Sequence, residues 1–461
     1  MRHSIVGHWM EALPPAPPSP PLEGDATADV VVVGGGYLGL WTAHQLATRD
    51  ASLRVVLLEA ETCGHGPSGR NGGFANHYWD QLPSMVALFG RDEAIRLARA
   101  SADALQQLGA WCGEHAPEAE FTWTPQVEVA TGPLQEGEWQ ESVDAVAAAG
   151  RGDDYRALSR DDVQRICRTP AFGGGAVERE AATVQPAGLV HALRRRVLEL
   201  GVALHEHSRV LALDDGDAGV VVTTPGGRVR ARRAVLAMNW RTATVKPLRS
   251  KLTVASSHVV ATRPMAETLA KLGWAGHSLC DLRAMLHYTR LTSDNRIVFG
   301  WGGGQPAMGG RQPRHLFHDP AVQRHTAAAL CRFFPGVTEA DVEVGWGGPI
   351  DVSADHLPHY GQLRSTVYGF GFTGNGVAPS RLGGDILAAM ALDARSDVTR
   401  LPLVGRNRPG FPPALPTYVG GSLLRDLMVA MDDRDERGAP VPGPLRLAVG
   451  VPRRLGFHVP R

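Results

Sequence analysis

The sequence predicts an α/β fold in which a parallel, helix-covered layer is joined to a second α+β domain built on a large antiparallel sheet. Residues 29–33 (DVVVV) are a β-branched run followed by Gly34-Gly35-Gly36-Tyr37-Leu38-Gly39, a helical pattern over 37–49 and a second apolar run at 53–59 (LRVVLLE). Strand, glycine turn, helix and strand in this order form one βαβ unit. Between 251 and 301 the pattern changes to long alternating stretches, KLTVASSHVVATRP and AMLHYTRLTSDNRIVFGW, the second turning at Ser293-Asp-Asn295. Such alternation marks antiparallel strands.

The remaining elements follow in order. Residues 14–24 (PPAPPSPPLEG) read as a stiff extended lead-in outside the core. Helices are expected over 91–113, 136–149 and 189–200, and strands over 121–130 (FTWTPQVEVA) and 203–205. The turn Pro225-Gly-Gly227 sits between strands at 220–224 and 228–230, a hairpin signal, and 234–238 (AVLAM) is a further buried strand. A helix lies near 320–333, and 367–372 is a strand feeding a glycine loop and a helix over 379–392. Past 396 the chain is proline-rich until a helix near 421–432. The expected organisation is a lead-in (1–26), a discontinuous nucleotide-binding domain (27–90, 180–250 and 340–395), a substrate domain (91–179 and 251–339) and a C-terminal extension (396–461). The pocket belongs between the two domains, where ligand sites concentrate.

Composition narrows the function. Lys+Arg and Asp+Glu both number 47, so the formal charge is zero. A nucleic-acid or anionic-membrane partner would favour a basic face or tail, and neither is expected. Five cysteines without a CxxC pair exclude a disulfide framework, and no metal site is expected. The N-terminus lacks the apolar run of a signal peptide and no stretch is long enough to span a bilayer, so the expected location is cytoplasmic.

The glycine turn carries the strongest chemistry. Gly34 permits the tight turn, Gly36 lets backbone amides approach a pyrophosphate, and Gly39 lets the helix pack on the strand. Glu59 ends the next strand 20 residues after Gly39, placed to bind a ribose hydroxyl. A second match, Gly369-Phe-Gly371-Phe-Thr-Gly374, also joins a strand to a helix, but no strand with an acidic end follows it. It reads instead as a helix N-terminus aimed at negative charge.

Further along, Pro67-Ser68-Gly69-Arg70-Asn71-Gly72-Gly73, Trp346-Gly-Gly-Pro349, Asp355-His-Leu-Pro358 and Gly371-Phe-Thr-Gly-Asn-Gly-Val377 resemble, in order and spacing, the blocks of the D-amino-acid oxidase and glycine oxidase superfamily. The resemblance runs from about 27 to 395 and is nearest to the gamma-glutamylputrescine oxidoreductase-like members. It implies a glutathione-reductase-like fold for the nucleotide-binding domain, with noncovalent FAD on Gly34, Gly36, Tyr37, Leu38 and Gly39, and its ribose at Glu59 and Ala60. Ser68, Arg70, Asn71, Gly72 and Gly73 would follow the pyrophosphate and ring, Val210 would meet the adenine, and Gly374, Asn375, Gly376 and Val377 the pyrimidine end. The implied reaction moves a hydride from the carbon beside an amine to flavin N5 and leaves an imine for hydrolysis.

The departures bear on substrate. Amino-acid-oxidising members carry a carboxylate-binding arginine four residues after the tryptophan; here that position is Ile350. An apolar side chain cannot hold a carboxylate, which points to a small amine, polyamine-like for example. Arg290 is the alternative fork for an amino-acid or N-methyl amino-acid substrate, and a non-catalytic flavin-binding accessory protein is a third reading. Val298 stands where sarcosine-oxidase-like members have a lysine near oxygen. Ala237-Met238-Asn239 replaces the usual Ala-Thr-Gly, and no cysteine matches a covalent flavin link. Pocket candidates are His77, Tyr78, Trp79, His258, His287, Tyr288, Arg290 and Ile350, with no general base assigned.

Overall fold

The computed structural model describes residues 1–216, 219–274, 276–311, 313–407, 410–454 and 457. Five strands run parallel through the first sheet: Ala203–His205, Val55–Leu58, Ala26–Val33, Arg228–Leu236 and Thr366–Phe370. Gly219–Thr223, Ala212–Gly216 and His359–Leu363 complete it in antiparallel sense. Val30, Val32 and Leu57 pack against the helical layer with Leu40, Trp41, Leu193 and Ile386. Val31, Val33, Val56 and Leu58 face the other way, against Val220, Val222 and Val229. Burial on both faces is why residues 30–33 and 55–58 are apolar at every position. The helices Tyr37–Arg49 and Pro379–Ala391 approach closely because Gly384 has no side chain: a Cβ there would lie 2.6 Å from Trp41 Cβ.

The second sheet has nine strands, in the order Arg2–His3, Val342–Ser353, Leu252–Thr262, Ile297–Trp301, His287–Leu291, Ser278–Asp281, Gln126–Val129, Gly175–Glu178 and Tyr155–Leu158. Its neighbours are antiparallel except for Arg2–His3 on Val342–Ser353 and Ser278–Asp281 on Gln126–Val129. One face buries Val127, Val260, Phe299 and Leu279 against Leu330, Phe333 and Phe334 at the Pro320–Phe333 helix. The opposite face looks towards the glycine loops.

Several expectations need correction. The stretch 121–130 is two strands in different sheets, Thr122–Trp123 and Gln126–Val129, because Pro125 lacks the N–H that a continuous ladder requires. The strands expected at 228–230 and 234–238 are one, Arg228–Leu236. The Val342–Ser353 strand, expected in the nucleotide-binding segment, belongs to the nine-stranded sheet. The lead-in is not outside the core: Leu22 is 4% exposed within the cluster around Val31, and its N–H donates to Ser208 Oγ at 2.8 Å. Among the described residues the tail holds two α-helices, Ala414–Glu436 and Gly443–Arg454. It clamps the 282–286 turn, where buried Arg283 pairs with Asp433 at 2.6 Å and with Glu436, and Asp432 accepts the Ala284 and Met285 amides at 3.1 and 3.0 Å.

Candidate active site

The first glycine turn is shaped by what a side chain would strike. Gly34 has φ +114°, and a Cβ there would meet Ala237 O at 2.4 Å; at Gly39 a Cβ would sit 1.9 Å from Gly34 O. Gly36 caps the Tyr37–Arg49 helix without a side chain, leaving the first-turn amides to an outside acceptor. Tyr37 N–H already donates to Ser68 Oγ at 2.9 Å, which fixes Ser68 beside the turn. Leu38, one residue on, is buried in the helical cluster. Glu59 accepts from Gly35 N–H at 2.7 Å and Glu61 N–H at 2.9 Å, holding its carboxylate over the glycines, and burial raises its pKa. Half-buried Ala60 lies between them. Ser208 N–H donates to Glu59 O at 2.7 Å and His207 N–H to Glu61 O at 2.8 Å, which brings the segment ending at Val210 alongside.

The 67–73 loop is pinned from three directions. Asn71 Nδ2 donates to Ser68 O at 2.9 Å and its Oδ1 accepts from Gly73 N–H at 2.8 Å. Trp346 Nε1 donates to Arg70 O at 2.7 Å, and Trp9 Nε1 to Asn71 O at 2.7 Å. Arg290 Nε donates to Gly72 O at 2.6 Å. Gly73, at φ +82°, passes so close to Val184 that a Cβ would be 2.3 Å from its carbonyl oxygen. Trp9 comes from the N-terminal segment, where nothing in the sequence pattern pointed to a role at the site.

The second glycine loop is tied to Val342–Ser353 by Asp351. Its Oδ2 accepts from Gly371 N–H at 2.5 Å, and its backbone oxygen accepts from Thr373 N–H at 3.0 Å. Burial pushes this carboxyl up to about 7. Asn239 stands at φ 48°, so asparagine takes the left-handed position that glycine occupies in the resembling blocks. Beyond Gly371, Gly374 has φ +88° with open space where a Cβ would go, Asn375 N–H donates to Phe372 O at 3.0 Å, Gly376 lies against Phe372, and Val377 is buried.

Strand register sorts the pocket candidates. Residues opposite one another in adjacent strands share a face, and successive residues alternate faces. Ile350 pairs with Ala255 and Gly348 with Ser257; Val259, on the same face as Ser257, pairs with Gly300, Gly300 with Tyr288, Tyr288 with Cys280, and Cys280 with Glu128. This face meets the 67–73 loop: the Tyr288 ring stands edge-on to Phe74 at 5.5 Å, and its hydroxyl lies 2.7 Å from Ser257 Oγ. His258 pairs with Trp301 and Trp301 with His287, which puts both histidines on the opposite face. His287 is buried there, stacked on Trp301 with Nδ1 2.7 Å from Asp281, and burial lowers His258 to about 4. The expectation that both face the ring is therefore corrected. His77 and Trp79 are each 1% exposed; His77 pairs with Glu178 at 2.7 Å, which raises its pKa despite burial, and Trp79 lies under Arg151. Arg290, pushed down to about 10 by burial, is also committed, donating through Nη2 to Val184 O at 2.7 Å. Val298 is buried with Val259 and Trp346.

The glycine turn with no room for side chains, the uncapped helix start and the Glu59 carboxylate fit a dinucleotide, and the two further glycine loops fit the rest of a flavin. A dinucleotide fold whose outer loops are roofed by a sheet face is that of a flavin-dependent oxidoreductase. A profile of the DAO family of FAD-dependent oxidoreductases matches residues 29–390, and the chain belongs to that family. The probable oxidoreductase OrdL of Rhizobium meliloti is 25% identical over 91% of this chain and 94% of its own length. The gamma-glutamylputrescine oxidoreductase of Escherichia coli is 27% identical over 88% and 91%. Among solved structures, glycine oxidase from Geobacillus kaustophilus superposes with a TM-score of 0.66 at 20% identity, over 83% of this chain and all of the other. Among the described residues no helix is long and apolar enough to cross a membrane.

Proposed function

We propose that this enzyme oxidises the C–N bond of a small amine that carries no carboxylate on the reacting carbon, a polyamine-like amine being the class indicated by the name of its Escherichia coli relative. The observation that carries the reading is Ile350, half-buried on the face that meets the cofactor loops, where an arginine would be needed for a carboxylate. Arg290 does not substitute for it, because its guanidinium is bound to Gly72 and Val184. FAD, when bound, supplies the acceptor for the electron pair and hydrogen removed from the carbon beside nitrogen.

The chain's own residues hold and orient. Tyr288, kept in place by Ser257, and Phe74 give the amine an aromatic wall, and a neutral amine asks for little further acid–base machinery. The placement of His258 and His287 on the far face agrees with that economy. Noncovalent binding of FAD is part of the same reading, since Cys280, the thiol on the site face, is held protonated by burial and is a poor nucleophile.

Anaerobic titration of the FAD-loaded protein with alkyl amines and their α-carboxylated counterparts tests it. Loss of the visible flavin absorbance with amines alone supports the reading. Reduction by the amino acids alone overturns it.

A further inference from the structure

We infer that the far end of the substrate face is a subsite for a second cationic group, so that the preferred substrate is a diamine or polyamine whose distal ammonium binds among Glu128, Asp80 and Asn76. This rests on the amine reading and adds which part of the pocket recognises the remainder of the molecule. Register places Glu128 two strands beyond Tyr288 on the same face, roughly 10 Å away at about 4.8 Å per strand. Gln126, Glu178 and Tyr155 continue that face, since Gln126 pairs with Glu178 and Glu178 with Tyr155. Asp80 and Asn76 come from the stretch that follows the 67–73 loop, so the patch begins where the cofactor cradle ends.

The charges there do not balance. Glu178 is answered by His77 at 2.7 Å, and Glu180 by Arg151 at 2.8 Å. Glu128 accepts a hydrogen bond from Tyr155 Oη at 2.6 Å, a neutral donor, and among the described residues neither it nor Asp80 forms an ion pair. Asp80 Oδ1 is buried without a hydrogen-bond partner. Asn76 donates through Nδ2 to Gln126 Oε1 at 2.8 Å and leaves its own carbonyl oxygen unpartnered as well.

Buried acceptors without donors and buried carboxylates without cations are both costly. One ammonium remedies both, because it brings three N–H donors and a positive charge to the same point. Burial and the neighbouring Glu178 charge both raise the pKa of Asp80 and of Glu128, the direction that a nearby cation would reverse. Glu128 and Cys280 are half-buried, so this end of the face is not wholly sealed in the core.

The test compares 1,6-diaminohexane with hexylamine, which differ only in the distal amine. Binding is measured by calorimetry on FAD-loaded enzyme reduced beforehand with dithionite, so that no oxidation occurs. The diamine should bind at least about tenfold tighter, the size of one charge-assisted hydrogen bond. Glu128→Gln and Asp80→Asn should each collapse that preference while leaving hexylamine affinity within about twofold. Equal affinity of the wild-type enzyme for the two probes overturns the subsite whether or not the variants fold, as does a preference that survives in both. Hexylamine bleaching of the oxidised enzyme without any diamine preference removes the subsite alone. Failure of every amine to bind or bleach removes the amine reading too.

Discussion

Arg290, buried in the nine-stranded sheet, donates through Nε to the Gly72 carbonyl oxygen at 2.6 Å and so fastens that sheet to the 67–73 loop, the proposed cradle of the cofactor. Its Nη2 reaches Val184 O at 2.7 Å, and its guanidinium lies 4.9 Å over the Trp9 ring. Trp9 in turn donates to Asn71 O. The loop's shape therefore depends on an arginine more than 200 residues away in sequence and on a tryptophan in the N-terminal segment.

Lysine at this position keeps the charge but cannot span two carbonyls in a fixed fork. Each hydrogen bond to a charged donor is worth about 1.5–3 kcal/mol, so Arg290→Lys should weaken FAD binding about tenfold or more. Titration of FAD into the apoprotein reads this directly. Unchanged affinity would show that the loop holds its shape without Arg290.

The strand and helix pattern was largely legible, because glycine turns and apolar periodicity are local signals. The first βαβ unit, the hairpin at Pro225-Gly-Gly227 and the antiparallel strands from 252 to 301 all follow from them. The site was less legible. His287 and Tyr288 are consecutive strand residues, so period-two alternation already forbids both from facing the ring. Choosing between them requires knowing that the Phe333 and Phe334 side covers one face and the 67–73 loop the other. Asp351 and Glu128 read as ordinary strand acids until pairing shows what they are buried against. Trp9 precedes a proline-rich run that reads as solvent-exposed chain.

Gly39 and Gly66 separate steric need from mere flexibility. A Cβ on Gly39 would lie 1.9 Å from Gly34 O, whereas one on Gly66 meets nothing within 4 Å. Gly39→Ala should yield protein without FAD, because the helix must move off the strand and take its amides with it. Gly66→Ala should retain FAD and melt within about 0.5 kcal/mol of wild type, the range of uncrowded surface changes. Flavin absorbance after gel filtration and thermal melts check the pair.

Two carboxyls four residues apart should give opposite pH signatures. Asp351 is raised to about 7 by burial, so its folded pKa lies above its unfolded value. The stability it contributes is complete below about pH 4 and is lost as pH rises to about 7, a change of about 4 kcal/mol at 1.36 kcal/mol per unit. Asp351→Asn keeps the acceptor for Gly371 N–H without the charge, and its stability relative to wild type should climb over that window. Burial also opposes ionisation of Asp355, but the hydrogen bond to His359 and the Arg406 charge hold its carboxyl well below the usual range. Asp355→Asn should therefore destabilise at neutral pH and approach wild type in acid. Melts of both variants from acid to neutral pH decide, and parallel curves would refute the assignment.

Ile350 is the position where a gain of function can be sought. It pairs with Ala255 on the face that also carries Gly348 and Tyr288, so its directly opposed partner on the neighbouring strand is only a methyl group. Ile350→Arg should bring a free guanidinium to the site, since the carbonyls that occupy Arg290 lie on the 67–73 loop and at Val184. A bidentate carboxylate contact is worth more than a neutral hydrogen bond, so α-amino acids should bind at least about tenfold tighter to the variant. The same charge repels an ammonium, so alkyl amines should bind more weakly. Anaerobic flavin reduction with hexylamine and with the matching α-amino acid reads both changes in one series. A variant that retains FAD yet shifts neither affinity would mean that residue 350 does not face the substrate, and the proposed preference for amines would lose its structural basis.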